Sequence, residues 1–156
     1  MGCALGWDGG VNRRSVAEVV IAMAIALLHR LPQANGEERG GTWSQLMGNQ
    51  LSGRVMGVLG CSHVGKEVVM LLRAFDCQAL AHDLLDFPEF YRAHQVTPRG
   101  LEDLIRSTEI VTIHLPLDYT TRDMFNGERL ALMRGRSYLI NGARGGCGRV
   151  GPQDHA

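Results

Sequence analysis

Short apolar runs alternate with amphipathic stretches along most of the chain beyond residue 50. Residues 54–59, 78–82, 110–115 and 137–140 read as buried strands, and 95–96 as a brief one. Residues 64–75 carry apolar side chains at 64, 68, 71, 72 and 75, the spacing of one helix face, and 101–106 is helical as well. Residues 87–94 suit a helical turn. Asn126 can cap a helix running to about Met133, which Gly135 ends. Strands alternating with helices predict an α/β fold with a doubly wound parallel sheet. Such sheets bind ligands beyond the carboxyl ends of their strands. The informative residues are therefore 60–65, 83, 114–121 and 141–146.

Ahead of this region the pattern differs. Residues 16–28 are almost wholly apolar, and with Arg13 and Arg14 before them they loosely imitate a twin-arginine signal. Glu18 interrupts the run, and spanning a bilayer takes about 20 apolar residues. The stretch is read as a soluble helix over 15–31, with Ser15 and Glu18 forming a capping box. Because 19–28 is apolar on every side, burial on more than one face is expected, one face against its own domain and another against a second subunit or domain. Residues 33–49 are mostly polar, with Gly36, Gly40, Gly41 and Gly48, and read as a loop-rich crossing.

The composition adds little beyond one compact domain. The 156 residues carry no net charge, so neither a nucleic acid nor an acidic surface is indicated as a partner. Lys66 is the only lysine among many arginines. Cys3, Cys61, Cys77 and Cys147 show neither a CxxC pair nor metal-ligand spacing, and read as reduced thiols of a cytoplasmic protein. No metal site and no membrane span is expected.

Candidate chemistry is concentrated at 60–65. Gly60-Cys61-Ser62-His63-Val64-Gly65 follows a strand and opens a helix, the context of a dinucleotide-binding loop. Gly60 would make the tight turn, and Gly65 would let the helix pack on the strand. Ser62 stands where a pyrophosphate normally approaches a glycine backbone. Its hydroxyl would either bond a phosphate oxygen or push the phosphate outward, and both readings stay open. His63 lies at the helix start, near the phosphates or merely exposed. Asp83 ends the second strand 18 residues after Gly65, where a carboxylate accepts bonds from the adenosine ribose and repels a 2′-phosphate. That favours NAD over NADP.

With these residues in place the chain resembles the D-isomer-specific 2-hydroxyacid dehydrogenases, a family that includes phosphoglycerate, D-lactate, glyoxylate/hydroxypyruvate and formate dehydrogenases. The likeness runs from Ser15 to Gly146, through SVAE at 15–18, GTW at 41–43, LSGRVMGVLGCSHVG at 51–65 and LRAFDCQALAHD at 72–83. It continues with LEDLIRSTEIVTIHLPLDYTTRDMFN at 101–126 and LALMRGRSYLINGARGG at 130–146. The resemblance implies a Rossmann-type NAD-binding domain, with the backbone amides of His63 and Val64 facing the pyrophosphate. It also implies that His114, Leu115, Pro116 and Thr121 line the cofactor cleft and that Gly142 and Ala143 lie near the nicotinamide. Arg144 matches the family's catalytic arginine, whose planar guanidinium holds the substrate carboxylate and carbonyl.

The expected activity is that of an NAD-dependent dehydrogenase acting on the CH–OH group of a small 2-hydroxy acid, or on the matching 2-keto acid in reverse. A homodimer through the 15–31 helix is the expected assembly. The departures suggest that the chain is mainly the cofactor domain, with an incomplete sheet and no substrate domain. Only 14 residues precede Ser15, and the tail at 147–156 diverges. The family's later glutamate–histidine pair has no counterpart, and Gly142 stands where a larger or hydroxylated residue is usual. The alternatives are a non-catalytic NAD-binding regulatory module and an inactive truncated fragment.

Overall fold

Five runs of apolar backbone pair side by side in one all-parallel sheet: β1 (Val55–Leu59), β2 (Gln78–His82), β3 (Thr97–Pro98), β4 (Ile110–Ile113) and β5 (Tyr138–Asn141), in the order β3-β2-β1-β4-β5. The computed structural model describes residues 10–143 apart from 117 and 120. The chain runs outward from β1 to β3, then returns to lay β4 on the other side of β1, so the direction of winding reverses between β1 and β4. This is the doubly wound, Rossmann-type sheet that the strand–helix alternation predicts.

Helices cover both faces. On one side lie α1 (Arg13–Leu28), α3 (His63–Leu72), which runs into a 3₁₀ turn at Arg73–Phe75, and α4 (Pro88–His94). Their core joins Ala17, Val20, Ala24 and Leu28 of α1 to Val68, Val69 and Leu72 of α3 and to Met56, Val58 and Ile110 of the sheet. On the other side α5 (Leu101–Ser107) and α6 (Gly127–Ala131) enclose Leu59, Leu80, Leu104, Ile105, Ile113 and Phe125. Between α1 and β1 lies a further helix, α2 (Leu31–Arg39).

Several expectations are corrected. Helix α1 starts before Ser15, with Asn12 at its cap position and no side-chain capping bond; Glu18 pairs with Arg14 instead of closing a capping box. The two arginines that imitate a signal both reach Glu67 on α3, at 3.2 and 3.3 Å. Within the single chain, Val19 and Met23 of the apolar 19–28 segment stay 50% and 47% exposed, while Val20, Ile21 and Ala24 pack on the domain. Among the described residues no single helix is long and apolar enough to cross a membrane; α1 and α2 reach that length only together, across a 63° bend.

Helix α1 ends at Leu28, short of the expected 31, and residues 33–39, read as loop, belong to α2. Pro32 suits the first turn of a helix, and Gln33 bonds Glu37 one turn on, so a helix forms with no buried residue and no apolar stripe to announce it. The brief third strand lies at Thr97–Pro98, two residues later than expected. Gln95 is used instead to end α4 in a left-handed conformation (φ 55°), and Val96 enters the core. Asn126 caps α6 as expected, its Oδ1 accepting from the Arg129 amide at 3.0 Å, but the helix ends at Ala131.

Candidate functional site

Strand register builds the site. Leu59 pairs with His82 on one side and Ile113 on the other, and Ile113 pairs with Asn141. The residues that follow these partners, Asp83, Gly60, His114 and Gly142, therefore stand in a row along the carboxyl edge of the sheet, across the point where the winding reverses. Four separate segments of the sequence meet there.

Gly60 has φ +86°, and a Cβ on it would lie 2.9 Å from the carbonyl carbon of His114 and 3.0 Å from Leu115 Cδ2. Only glycine fits a turn so placed. A Cβ on Gly65 would collide with the Gly60 carbonyl oxygen, so the first turn of α3 rests directly on the end of β1. Both glycines have the roles their spacing predicts.

Ser62 occupies the N-cap position of α3 with φ −84°, is exposed, and makes no side-chain cap bond. The first-turn amides, His63 and Val64 among them, have no acceptor within the helix. These amides and the helix dipole form a cradle for an anion. His63 is exposed beside the loop, with its ring against Gly10. The loop cysteine offers no nucleophile: Cys61 is buried, and burial with the nearby Asp83 charge pushes its thiol up to about 12.

Asp83 does more than the ribose reading requires. Its Oδ2 accepts from the Cys61 amide at 2.5 Å and its Oδ1 from the Leu85 amide at 3.0 Å. It ties the start of the glycine loop to the end of β2, and a carboxylate keeps lone pairs for further donors. Lys66 braces the same corner, its ammonium 3.9 Å from the centroid of Phe87, at the start of α4.

On the other side of the crevice, Leu115 is buried and Pro116 exposed. Thr121 is buried; its hydroxyl donates to the Pro116 carbonyl at 2.6 Å and accepts from the Asp118 amide at 2.9 Å. It therefore folds the loop instead of presenting a hydroxyl to the crevice. His114 is nine-tenths buried, with Nε2 2.9 Å from Thr112 Oγ1 and no partner for Nδ1. Burial lowers its pKa to about 4. Gly142 and Ala143 lie at the end of β5, with the Ala143 amide donating to Asn141 Oδ1 at 3.0 Å. Arg144 and the 147–156 tail lie outside the described residues. Among the described residues no cluster of His, Cys, Asp or Glu could hold a metal ion.

A parallel sheet with its reversal at β1/β4, a glycine turn into a helix and an acidic residue at the end of β2 together define a dinucleotide-binding α/β domain. Residues 21–148 match the family profile described as D-isomer specific 2-hydroxyacid dehydrogenase, NAD binding domain, and the chain belongs to that family. It is 31% identical to the D-3-phosphoglycerate dehydrogenase of Sus scrofa and 32% to D-3-phosphoglycerate dehydrogenase 1 of Saccharomyces cerevisiae. Each match covers 86% of this chain but only 26% and 29% of the relative. The chain thus spans between a quarter and a third of the curated relatives it matches.

Among solved structures, the pyruvate reductase of Chlamydomonas reinhardtii superposes with a TM-score of 0.81 at 32% identity, covering 88% of this chain and 41% of that one. The D-lactate dehydrogenase of Aquifex aeolicus, complexed with NAD and lactic acid, superposes at 0.80 and 29%, covering 87% and 41%. The cofactor of this domain is NAD, and the residues present fit it. The turn that only Gly60 can make, the close seat of Gly65 and the open amides of α3 leave a cradle at the right end of the sheet.

Proposed function

We propose that this chain holds NAD in the crevice between the ends of β1 and β4, as the cofactor-binding part of a dehydrogenase of small 2-hydroxy acids. The observation that carries the reading is the alignment of Asp83, Gly60, His114 and Gly142 on one sheet edge beside the open amides of α3. The pyrophosphate lies on the Ser62–Val64 backbone and the adenosine ribose on Asp83. The nicotinamide lies toward Gly142 and Ala143. The cofactor supplies hydride exchange with the carbon bearing the hydroxyl. Arg144, one residue beyond Ala143, is proposed to hold the substrate carboxylate as a bidentate fork. A reducing cytoplasm suits the unpaired Cys61 and Cys77. A second copy of the chain is proposed to pack on the exposed side of α1.

The test is a fluorescence titration with NADH and with NADPH, and sizing of the protein with and without cofactor. Saturable NADH binding with weaker NADPH binding is expected. Equal affinities would remove the role given to Asp83, and no binding of either would remove the reading.

A second reading, a regulatory NAD-binding module without turnover, is favoured by one observation. His114, beside Gly142 at the crevice edge, is buried and neutral, a packing residue instead of an exposed acid or base. The two readings divide on one assay of the 156-residue chain expressed alone. NADH formation that depends on a 2-hydroxy acid and is abolished by Arg144→Ala would support the dehydrogenase. A change of assembly state on NADH binding, without turnover, would support the module.

A further inference from the structure

The glycine at 142 and the imidazole of His114 occupy one space. A Cβ at 142 would stand 2.8 Å from His114 Cε1, 3.0 Å from Nδ1 and 3.1 Å from Val20 Cγ2 of α1. The ring thus fills the room that a side chain at 142 would take, and Val20 of α1 borders the same room. Its backbone does a second job. The His114 amide donates to the Leu59 carbonyl at 2.7 Å, and the His114 carbonyl group is the surface against which Gly60 turns. Gly142 in turn donates to the Ile113 carbonyl at 3.1 Å. One residue therefore links the end of β1 to the end of β5, beside a space that α1 also borders.

We propose that His114 is the positioning residue of the cofactor loop: its imidazole, anchored by Thr112 and seated over Gly142, holds the Gly60 turn in register for the dinucleotide. The proposal rests on the NAD reading above and adds a residue pair to it. The ring's protonation follows from its partners. Buried donors without acceptors are rarer than buried acceptors without donors, so Nε2–H donates to Thr112 Oγ1 and Nδ1 keeps its bare lone pair. Thr112 and Gly142, which lie beside the ring, carry no charge, and desolvation is what lowers its pKa, so it stays neutral across the physiological range.

The test compares His114→Ala, His114→Gln, Gly142→Ala and the double variant His114→Ala/Gly142→Ala, each by urea melt and NADH titration, with ¹⁵N NMR of the parent imidazoles. His114→Ala should fold yet bind NADH about tenfold more weakly. His114→Gln, whose amide nitrogen can take the place of Nε2 toward Thr112, should recover most of that loss. Gly142→Ala should weaken both folding and binding in the parent, but cost little or be beneficial where His114 is already alanine.

The His114 ring should show a protonated Nε2 and an unprotonated Nδ1 from pH 8 to 5. Three results would each overturn the proposal: unchanged NADH affinity in a folded His114→Ala, additive effects at 114 and 142, or a protonated Nδ1. Failure of the parent to bind NADH would sink the cofactor reading, whereas the melts and NMR would still decide whether 114 and 142 form one packing unit.

Discussion

The Asp83 carboxylate grips the amide of Cys61, Oδ2 to N at 2.5 Å, across the gap between the end of β2 and the glycine loop. Asp83 is thus a strut of the loop as well as a candidate partner for the ribose, and the two roles are separable. Asparagine keeps an oxygen for the Cys61 amide but loses the charge. Asp83→Asn should lower the preference for NADH over NADPH while retaining much of the NADH affinity. Asp83→Ala should lose strut and charge together, about 1.5–3 kcal/mol of binding. Equal NADH dissociation constants for the two variants would show that the strut contributes nothing.

Ser62 has an ordinary negative φ, so its backbone does not require glycine. Its hydroxyl also leaves the α3 amides uncapped, so what it imposes on a bound pyrophosphate is bulk. Ser62→Gly should tighten NADH binding, by less than about tenfold, because glycine adds flexibility to the unbound loop. If the variant binds more weakly, the hydroxyl is a phosphate ligand.

The parallel sheet, its strands and the two glycines of the loop were legible because each leaves a local mark: an apolar run, a turn residue or a fixed spacing. What escaped depends on contacts between distant segments. Nothing around Asp83 announces Cys61, 22 residues away. His114 and Gly142 meet only because β4 and β5 are in register. The partner of Arg13 and Arg14, Glu67, lies on another helix, so the sequence shows only their loose likeness to a signal. Helix α2 escaped for the opposite reason: it buries nothing, so it has no apolar period to read. At the site, position along the chain was informative, whereas the work each side chain does was not. Thr121, expected to line the cleft, spends its hydroxyl on its own loop.

Burial of His114 makes stability depend on pH. The ring has a pKa of about 4 in the fold, against an ordinary value near 6.5 in the unfolded chain. Between these values the unfolded chain binds more protons, so its contribution is complete above pH 6.5, falls as the pH drops, and is gone near 4. The range amounts to about 3 kcal/mol. Urea melts at pH 7.5 and 5 should show this loss, and His114→Gln should show less of it. Parallel pH dependence in both proteins would assign the acid sensitivity to other groups.

Helix α1 offers the last test. Val19 and Met23, one turn apart, line a shallow trough of about 250 Å³ with Val16, Val20 and Ala143, while Ile21 points into the domain and is 8% exposed. The proposed contact between copies therefore belongs to Val19 and Met23, and a charge at Ile21 would test folding instead. Val19→Glu/Met23→Glu should shift the protein toward monomer in light scattering while leaving its melting temperature near that of the parent monomer, because both side chains already border solvent. Ile21→Glu should unfold the chain, since a lone carboxylate would be forced into an apolar core. A parent chain that is monomeric at every concentration measured would show that this face has no second copy to cover it.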